Sequence, residues 1–238
     1  MKTVFIIAVS AVICFTSCSI IKQSPKYGFA DGRYSSNAVG KEINKVYVVN
    51  EEEVIHVFPL EEISGSYQID TSAYKAHHLA ETKLDGVPSK LSFRQNSFDV
   101  DFLTMPFKYR FAVNNFPRQF NTNLNGAVYL GYRTDLYMLN YKTNILDKTT
   151  RETTHFGFSF GAFTGLGGTT MNPWVTNNQI GIEYDGVVWS KGISGIIGLN
   201  SVTTGLAIGW DHLLDGNRKH WIYQNKPWIG FVFGLNLN

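Results

Sequence analysis

The sequence predicts an all-β chain: a small antiparallel up-and-down β-barrel preceded by a short polar region that contains a β-hairpin. Three observations predict it. The composition pairs 22 Gly with 17 Phe, 12 Tyr and 5 Trp against only 7 Pro. From Leu91 onward, large apolar and small residues alternate with period two. Charge, 17% of residues overall with a net of +2, gathers before Leu91 and in a few polar stretches after it. A hydrophobic content of 44% excludes disorder, and dispersed Lys and Arg without a basic stripe exclude a nucleic-acid binder.

Residues 1–18 come first. Lys2 precedes an apolar run over 4–15, which is shorter than the roughly 18 residues a helix needs to cross a bilayer, so the segment reads as a secretory signal. Phe15-Thr16-Ser17-Cys18 resembles the bacterial lipobox, with Phe15 where an aliphatic residue is usual. That resemblance implies lipidation at Cys18. The only cysteines are Cys14 and Cys18, so the mature chain is expected to hold no disulfide. By resemblance to known lipoprotein sorting, Ser19 after the acceptor implies the outer membrane, and the lack of an acidic run a periplasm-facing N-terminal region.

Residues 19–90 read as that polar region. The β-branched and aromatic runs 45–49 and 54–58 flank a turn-like Asn50-Glu51-Glu52-Glu53 and predict the hairpin.

Residues 91–238 read as the barrel. In 229–237, Ile229, Phe231, Phe233, Leu235 and Leu237 share one face, and Gly230, Val232, Gly234 and Asn236 the other. Leu206, Ile208 and Trp210 oppose Gly205, Ala207 and Gly209, and Phe156, Phe158 and Phe160 oppose Gly157, Ser159 and Gly161. Val128, Leu130 and Tyr132 oppose Ala127, Gly131, Arg133 and Asp135, with Tyr129 as the large exception. A soluble sheet usually covers its second face with Lys, Glu and Thr, whereas a narrow membrane barrel turns large apolar residues to lipid and fills its lumen with small ones and compensated charge. The expected lumen network is Lys108, Arg110, Arg133, Asp135, Glu183 and Asp211, a plugged interior. Tyr132, Trp189, Trp210, Trp221 and Trp228 stand near run ends, where aromatic girdles lie.

Runs near 91–96, 97–104, 106–114, 126–138, 153–165, 192–200, 202–213 and 227–238 make eight strands, or ten if 179–189 adds a pair. Asn96-Ser97 and Asn200-Ser201 are candidate tight turns, and Gly165-Leu166-Gly167-Gly168 a strand-end turn.

Ser97-Phe98-Asp99-Val100-Asp101, Pro106-Phe107-Lys108-Tyr109-Arg110, Tyr129-Leu130-Gly131-Tyr132-Arg133-Thr134-Asp135, Gly209-Trp210-Asp211-His212-Leu213 and Lys226-Pro227-Trp228-Ile229-Gly230 resemble outer-membrane β-barrel lipoproteins of Gram-negative bacteria, a group without an assigned activity. The likeness spans about 91–238 and implies location and fold, not mechanism. One departure is the ending Leu237-Asn238, where many such barrels carry a terminal aromatic residue.

Chemistry-bearing motifs are absent. The six His, among them the adjacent His77-His78, show no metal-ligand spacing, and there is no G-x-S-x-G elbow. No metal, cofactor or catalytic residue is expected. His155 and Ser159 share a strand face but stand about 13 Å apart along it, too far for a dyad. The expected partner is membrane lipid, with any envelope protein left open. Two alternatives remain at this level: a soluble lipocalin-like barrel whose aromatic face lines an apolar-ligand cavity, and a lipid hydrolase or acyltransferase acting at the membrane rim.

Overall fold

The computed structural model describes residues 28–38, 43–51, 53–63, 65–69, 77–80, 89–113, 115–147, 149–199 and 202–236. The signal segment, Cys18 and the candidate turn Asn200-Ser201 lie outside them. The chain is all-β and antiparallel. Its strands are β1 (Gly32–Ser36), β2 (Asn44–Glu51), β3 (Val54–Ile63), β4 (Ser66–Ile69), β5 (His77–Ala80), β6 (Lys90–Arg110), β7 (Gln119–Asn121), β8 (Asn125–Thr143), β9 (Thr149–Met171), β10 (Tyr184–Leu199), β11 (Val202–Leu213) and β12 (Pro227–Asn236). Two 3₁₀ turns, Trp174–Thr176 and Gly216–Lys219, are the described helical elements.

The twelve strands form one sheet in the order β12-β11-β10-β9-β8-β6-β1-β2-β3-β4, and β12 also pairs with β6. Six strands therefore close into a ring: β6, β8, β9, β10, β11 and β12. Register fixes its size. Stepping between Cα partners from Asn96 through Thr134, Phe158, Ile197, Thr204 and Phe233 returns to β6 at Thr104, eight residues further on. Six strands with that stagger tilt by roughly 40° and enclose a backbone ring roughly 13 Å across.

So narrow a ring closes only if its inner face carries small residues where neighbouring backbones and filling side chains approach most closely. A Cβ on Gly161 would land on the Leu130 carbonyl oxygen and Gly131 Cα. A Cβ on Gly209 would meet the Trp228 ring, and one on Gly157 the Arg133 guanidinium. These contacts explain why the small residues sit on one face.

Register slips once. Phe231 faces Phe107 while Phe233 faces Thr104, so β6 holds an extra residue at Met105-Pro106. Pro106 has no N–H to donate and suits such a bulge. The bulge moves the inward parity of β6 from odd numbers (Asp99, Asp101, Leu103, Met105) to even ones (Lys108, Arg110).

Several expectations are corrected. The ring has six strands because the runs 91–96 and 97–104 and the first part of 106–114, as far as Arg110, form one strand, and Asn96-Ser97 lies mid-strand, paired with Thr134 and Arg133. Residues 179–189 add no pair, since β10 begins at Tyr184. Gly165 to Gly168 lie inside β9, not at a turn, with Gly165 packed on Ala127 and Gly167 on Asn125.

The predicted hairpin is β2–β3, paired from Val46↔Pro59 to Glu51↔Val54. The boundary near residue 90 coincides with the start of β6, yet the sheet runs through it. β1 pairs with β6 at Ser35↔Arg94 and Ser36↔Phe93, and a shared core joins Tyr34, Val46, Val48, Ile55, Val57 and Leu79 to Leu91, Phe93, Tyr137 and Leu139. β5 pairs with β3, and the Tyr141 hydroxyl donates to the Ala80 carbonyl at 2.9 Å, drawing β5 toward β8. The N-terminal strands thus roll around the extended ends of β6, β8 and β9.

Candidate functional site

Two surfaces distinguish the ring, and both follow from the same alternation. Its outward face is apolar on all six strands. Phe102, Leu130, Phe160, Ile197, Leu206 and Phe231 represent one strand each and are all exposed, Phe160 and Leu206 at 55% and Phe231 at 52%. Such side chains expose on the order of 100 Å² each, so these six alone exceed the few hundred Å² of contiguous apolar surface usual on a soluble monomer.

The belt's height can be read from β9. Its outward positions from Phe156 to Leu166 span ten residue steps, about 33 Å of strand, which the tilt reduces to about 25 Å. Polar residues close its lower edge, where the Thr134 hydroxyl donates to Asn96 Oδ1 at 3.0 Å.

Inside, the paired charges lie toward the two ends of the ring with a mainly apolar layer between. Near the ends of β6 and β11, Asp211 accepts from Lys108 Nζ at 3.0 and 3.2 Å, from Ser190 Oγ at 2.7 Å, from Trp228 Nε1 at 2.9 Å and from the Arg110 guanidinium. Lys108 also donates to Asn125 Oδ1 at 2.8 Å and Ser190 Oγ at 3.0 Å. Arg110 stacks on Trp221 and Tyr223, with its guanidinium carbon 5.0 and 5.2 Å from the ring centres. These rings belong to the 214–226 connection, which packs with Val175 and Leu213 and caps this end.

At the opposite end, Arg133 Nε donates to both Asp135 oxygens at 2.8 and 3.0 Å, and His155 Nε2 lies 2.6 Å from Asp135 Oδ1. His155 also stacks on Tyr137. Between the two clusters Leu103, Met105, Tyr129, Phe163, Ile196 and Val232 pack together, and Tyr129 shares a 2.8 Å hydrogen bond with Ser159.

Five of the six expected lumen residues are inside: Lys108, Arg110, Arg133, Asp135 and Asp211, all at most 3% exposed. Glu183 is not. It is exposed in the connection before β10 and faces no lumen, because no strand carries its parity inward. Asp99, Asp101 and His155, outside the expected network, are buried as well. Their signal was available, since each alternates with the outward Phe98, Phe102 or Phe156. Of the expected girdle, Tyr132, Trp189 and Trp210 are exposed, whereas Trp221 and Trp228 are buried at 3% and 0% and serve the inner cluster.

Geometry also bears on the two alternatives. Phe156, Phe158 and Phe160 point outward, so the aromatic face lines no internal cavity. His155 and Ser159 are both buried and engage Asp135 and Tyr129. Asp211 and His212 lie on opposite faces. The His77 and His78 side chains lie outside the described residues. Among the described residues no group of His, Cys, Asp and Glu could hold a metal, and no helix is long and apolar enough to cross a membrane.

No family model, no curated protein and no solved structure matches the chain.

Proposed function

We propose that the chain is a lipid-anchored outer-membrane protein whose six-stranded ring crosses the bilayer and whose role is structural or one of interaction, without catalysis. One observation carries this reading. An apolar belt about 25 Å tall, the height of the lipid-facing band of outer-membrane barrels, encircles a ring whose inward charges Lys108, Arg110, Arg133, Asp135 and Asp211 are buried and paired toward its two ends. In water, the same arrangement would leave every strand's large side chains unburied.

Orientation follows from the connections. At one end β8 and β9 are joined by residues 144–148 and β10 and β11 by two residues, while at the other the connections are 111–124, 172–183 and 214–226. Outer-membrane barrels keep short turns in the periplasm and long loops outside. The N-terminal roll lies at the short-turn end, with Cys18 only ten residues before Gly28, at most about 35 Å of chain. Acyl chains on Cys18 therefore reach the inner leaflet. Outer-membrane barrels of known kind begin at eight strands. Six suffice here because the inner face is Gly, Ala and Ser where the backbones approach most closely.

Carbonate washing of membranes from cells making the full chain tests the reading. The protein is expected to stay in the pellet and to run faster on gels unheated than boiled, and palmitate labelling is expected to vanish in Cys18→Ala. Release of the wild-type chain by carbonate would sink the proposal.

A further inference from the structure

The outward belt carries one fully charged side chain among its described residues, Lys191 on β10. Its surroundings are built. Across the strands it pairs with Thr164 and Trp210, and along its own face Trp189 and Ile193 flank it. The Trp189 indole donates to Thr164 Oγ1 at 2.8 Å, which holds the ring so that Lys191 Nζ lies over it, 4.6 Å from its centre. Trp189 is nearer the long connections, so the lysine stem lies along the belt and its ammonium turns toward that edge, as lysines do at a lipid–water boundary.

A cation held against an indole on one side and open on the other takes an anionic oxygen. At the edge of an apolar belt, the anion present at that depth is the phosphate of a lipid headgroup, whose chains lie beside Trp210 and Ile193. We propose that Lys191, with Trp189 and Trp210, forms a site for the phosphate of one anionic lipid in the leaflet at the long-connection end. The inference rests on the membrane reading above.

Native mass spectrometry of the detergent-solubilised full chain with phosphatidylglycerol or phosphatidylcholine tests it. The wild type is expected to retain phosphatidylglycerol about fivefold better, the worth of one lysine at a membrane surface. Lys191→Gln is expected to lose that preference and Lys191→Arg to keep it. An equal preference in Lys191→Gln overturns the site. Carbonate extraction of the same wild-type chain separates the failures: release overturns the membrane reading itself, whereas a chain retained in the pellet but without lipid preference overturns only this site.

Discussion

Phe231→Arg places a charge where the two possible surroundings of the ring give opposite answers. Phe231 is outward, 52% exposed and halfway up the belt, paired with Leu206 on one side and Phe107 on the other. If lipid surrounds the ring, an arginine at mid-depth costs about 2–4 kcal/mol, a loss of roughly 30-fold to 900-fold in the folding equilibrium. If water surrounds it, the change removes a half-exposed ring from solvent and stays within about 0.5 kcal/mol of neutral. Phe156→Arg, at the belt's lower edge, is the internal control, because near the interface the penalty falls to about 0–1 kcal/mol. The assay is reversible urea unfolding of the chain refolded into phospholipid vesicles, with the heat-modifiable gel shift as a second readout. A large cost at 231 with a small one at 156 is expected. Equal, near-zero effects at both positions would refute the reasoning.

The remaining predictions concern the interior and the roll. Asp211→Asn leaves Lys108 and Arg110, each 1% exposed, without their shared counter-charge, and is expected to cost about 3–5 kcal/mol in the same unfolding assay; a loss below about 1 kcal/mol would show that the network is not under that constraint. Gly161→Val drives a side chain into the Leu130 carbonyl and is expected to abolish the fast-migrating folded band, whereas Ala162→Val, outward on the same strand, is expected to leave it intact. In the N-terminal roll, burial pushes the Tyr34 hydroxyl above the usual tyrosine range while it donates to the Ala30 carbonyl at 2.7 Å. The folded state therefore keeps a proton that the unfolded chain loses above about pH 10. Stability contributed by Tyr34 is intact below that pH and declines above it by up to about 1.4 kcal/mol per unit; Tyr34→Phe is expected to flatten this decline, read by limited proteolysis of the roll across pH 9–11.

Much of the ring was legible because period two needs no knowledge of the partner strand. Phe156, Phe158 and Phe160 declare one face whatever lies beside them, and Arg133 and Asp135 share parity with Gly131, so their inward placement follows from local pattern. Register was not legible. Ring closure depends on Asn96 reaching Thr104 through five other strands, and no segment contains that information. The bulge at Met105-Pro106 was equally hidden, although Pro106 marks it, because a parity change on one strand shows only against its neighbour. Trp221 and Trp228 were misplaced for a related reason. Tryptophan suits a lipid boundary, but equally an indole donor to a buried carboxylate, as Trp228 is to Asp211, or a ring beneath a buried guanidinium, as Trp221 is to Arg110, and only the partners brought close by β6 and β11 decide.

The break expected at Asn96-Ser97 has a physical cause that bears on function. Along β6 the inward residues change from Leu91 and Phe93 to Asp99 and Asp101, while the outward ones change from Ser92 and Arg94 to Phe98 and Phe102. On β8 the outward Leu130 and Tyr132 give way to Asn140 and Lys142 as the inward Gly131 and Arg133 give way to Tyr137 and Leu139. On β9 Thr154 is followed two residues later by Phe156. Two adjacent strands, β6 and β8, invert their polarity, and β9 changes its outward face, without any interruption in hydrogen bonding. A turn would explain an inversion on one strand, but not a coordinated one on two that remain paired. On the membrane reading proposed above, a change of solvent accounts for both: below this level β6 and β8 bury a core beneath the N-terminal roll and face water, and above it they face lipid around a narrow interior. Arg133, Asp135 and His155 sit at the crossing, where the inward face passes from large apolar groups to small ones, and their mutual pairing fills the space that neither pattern occupies.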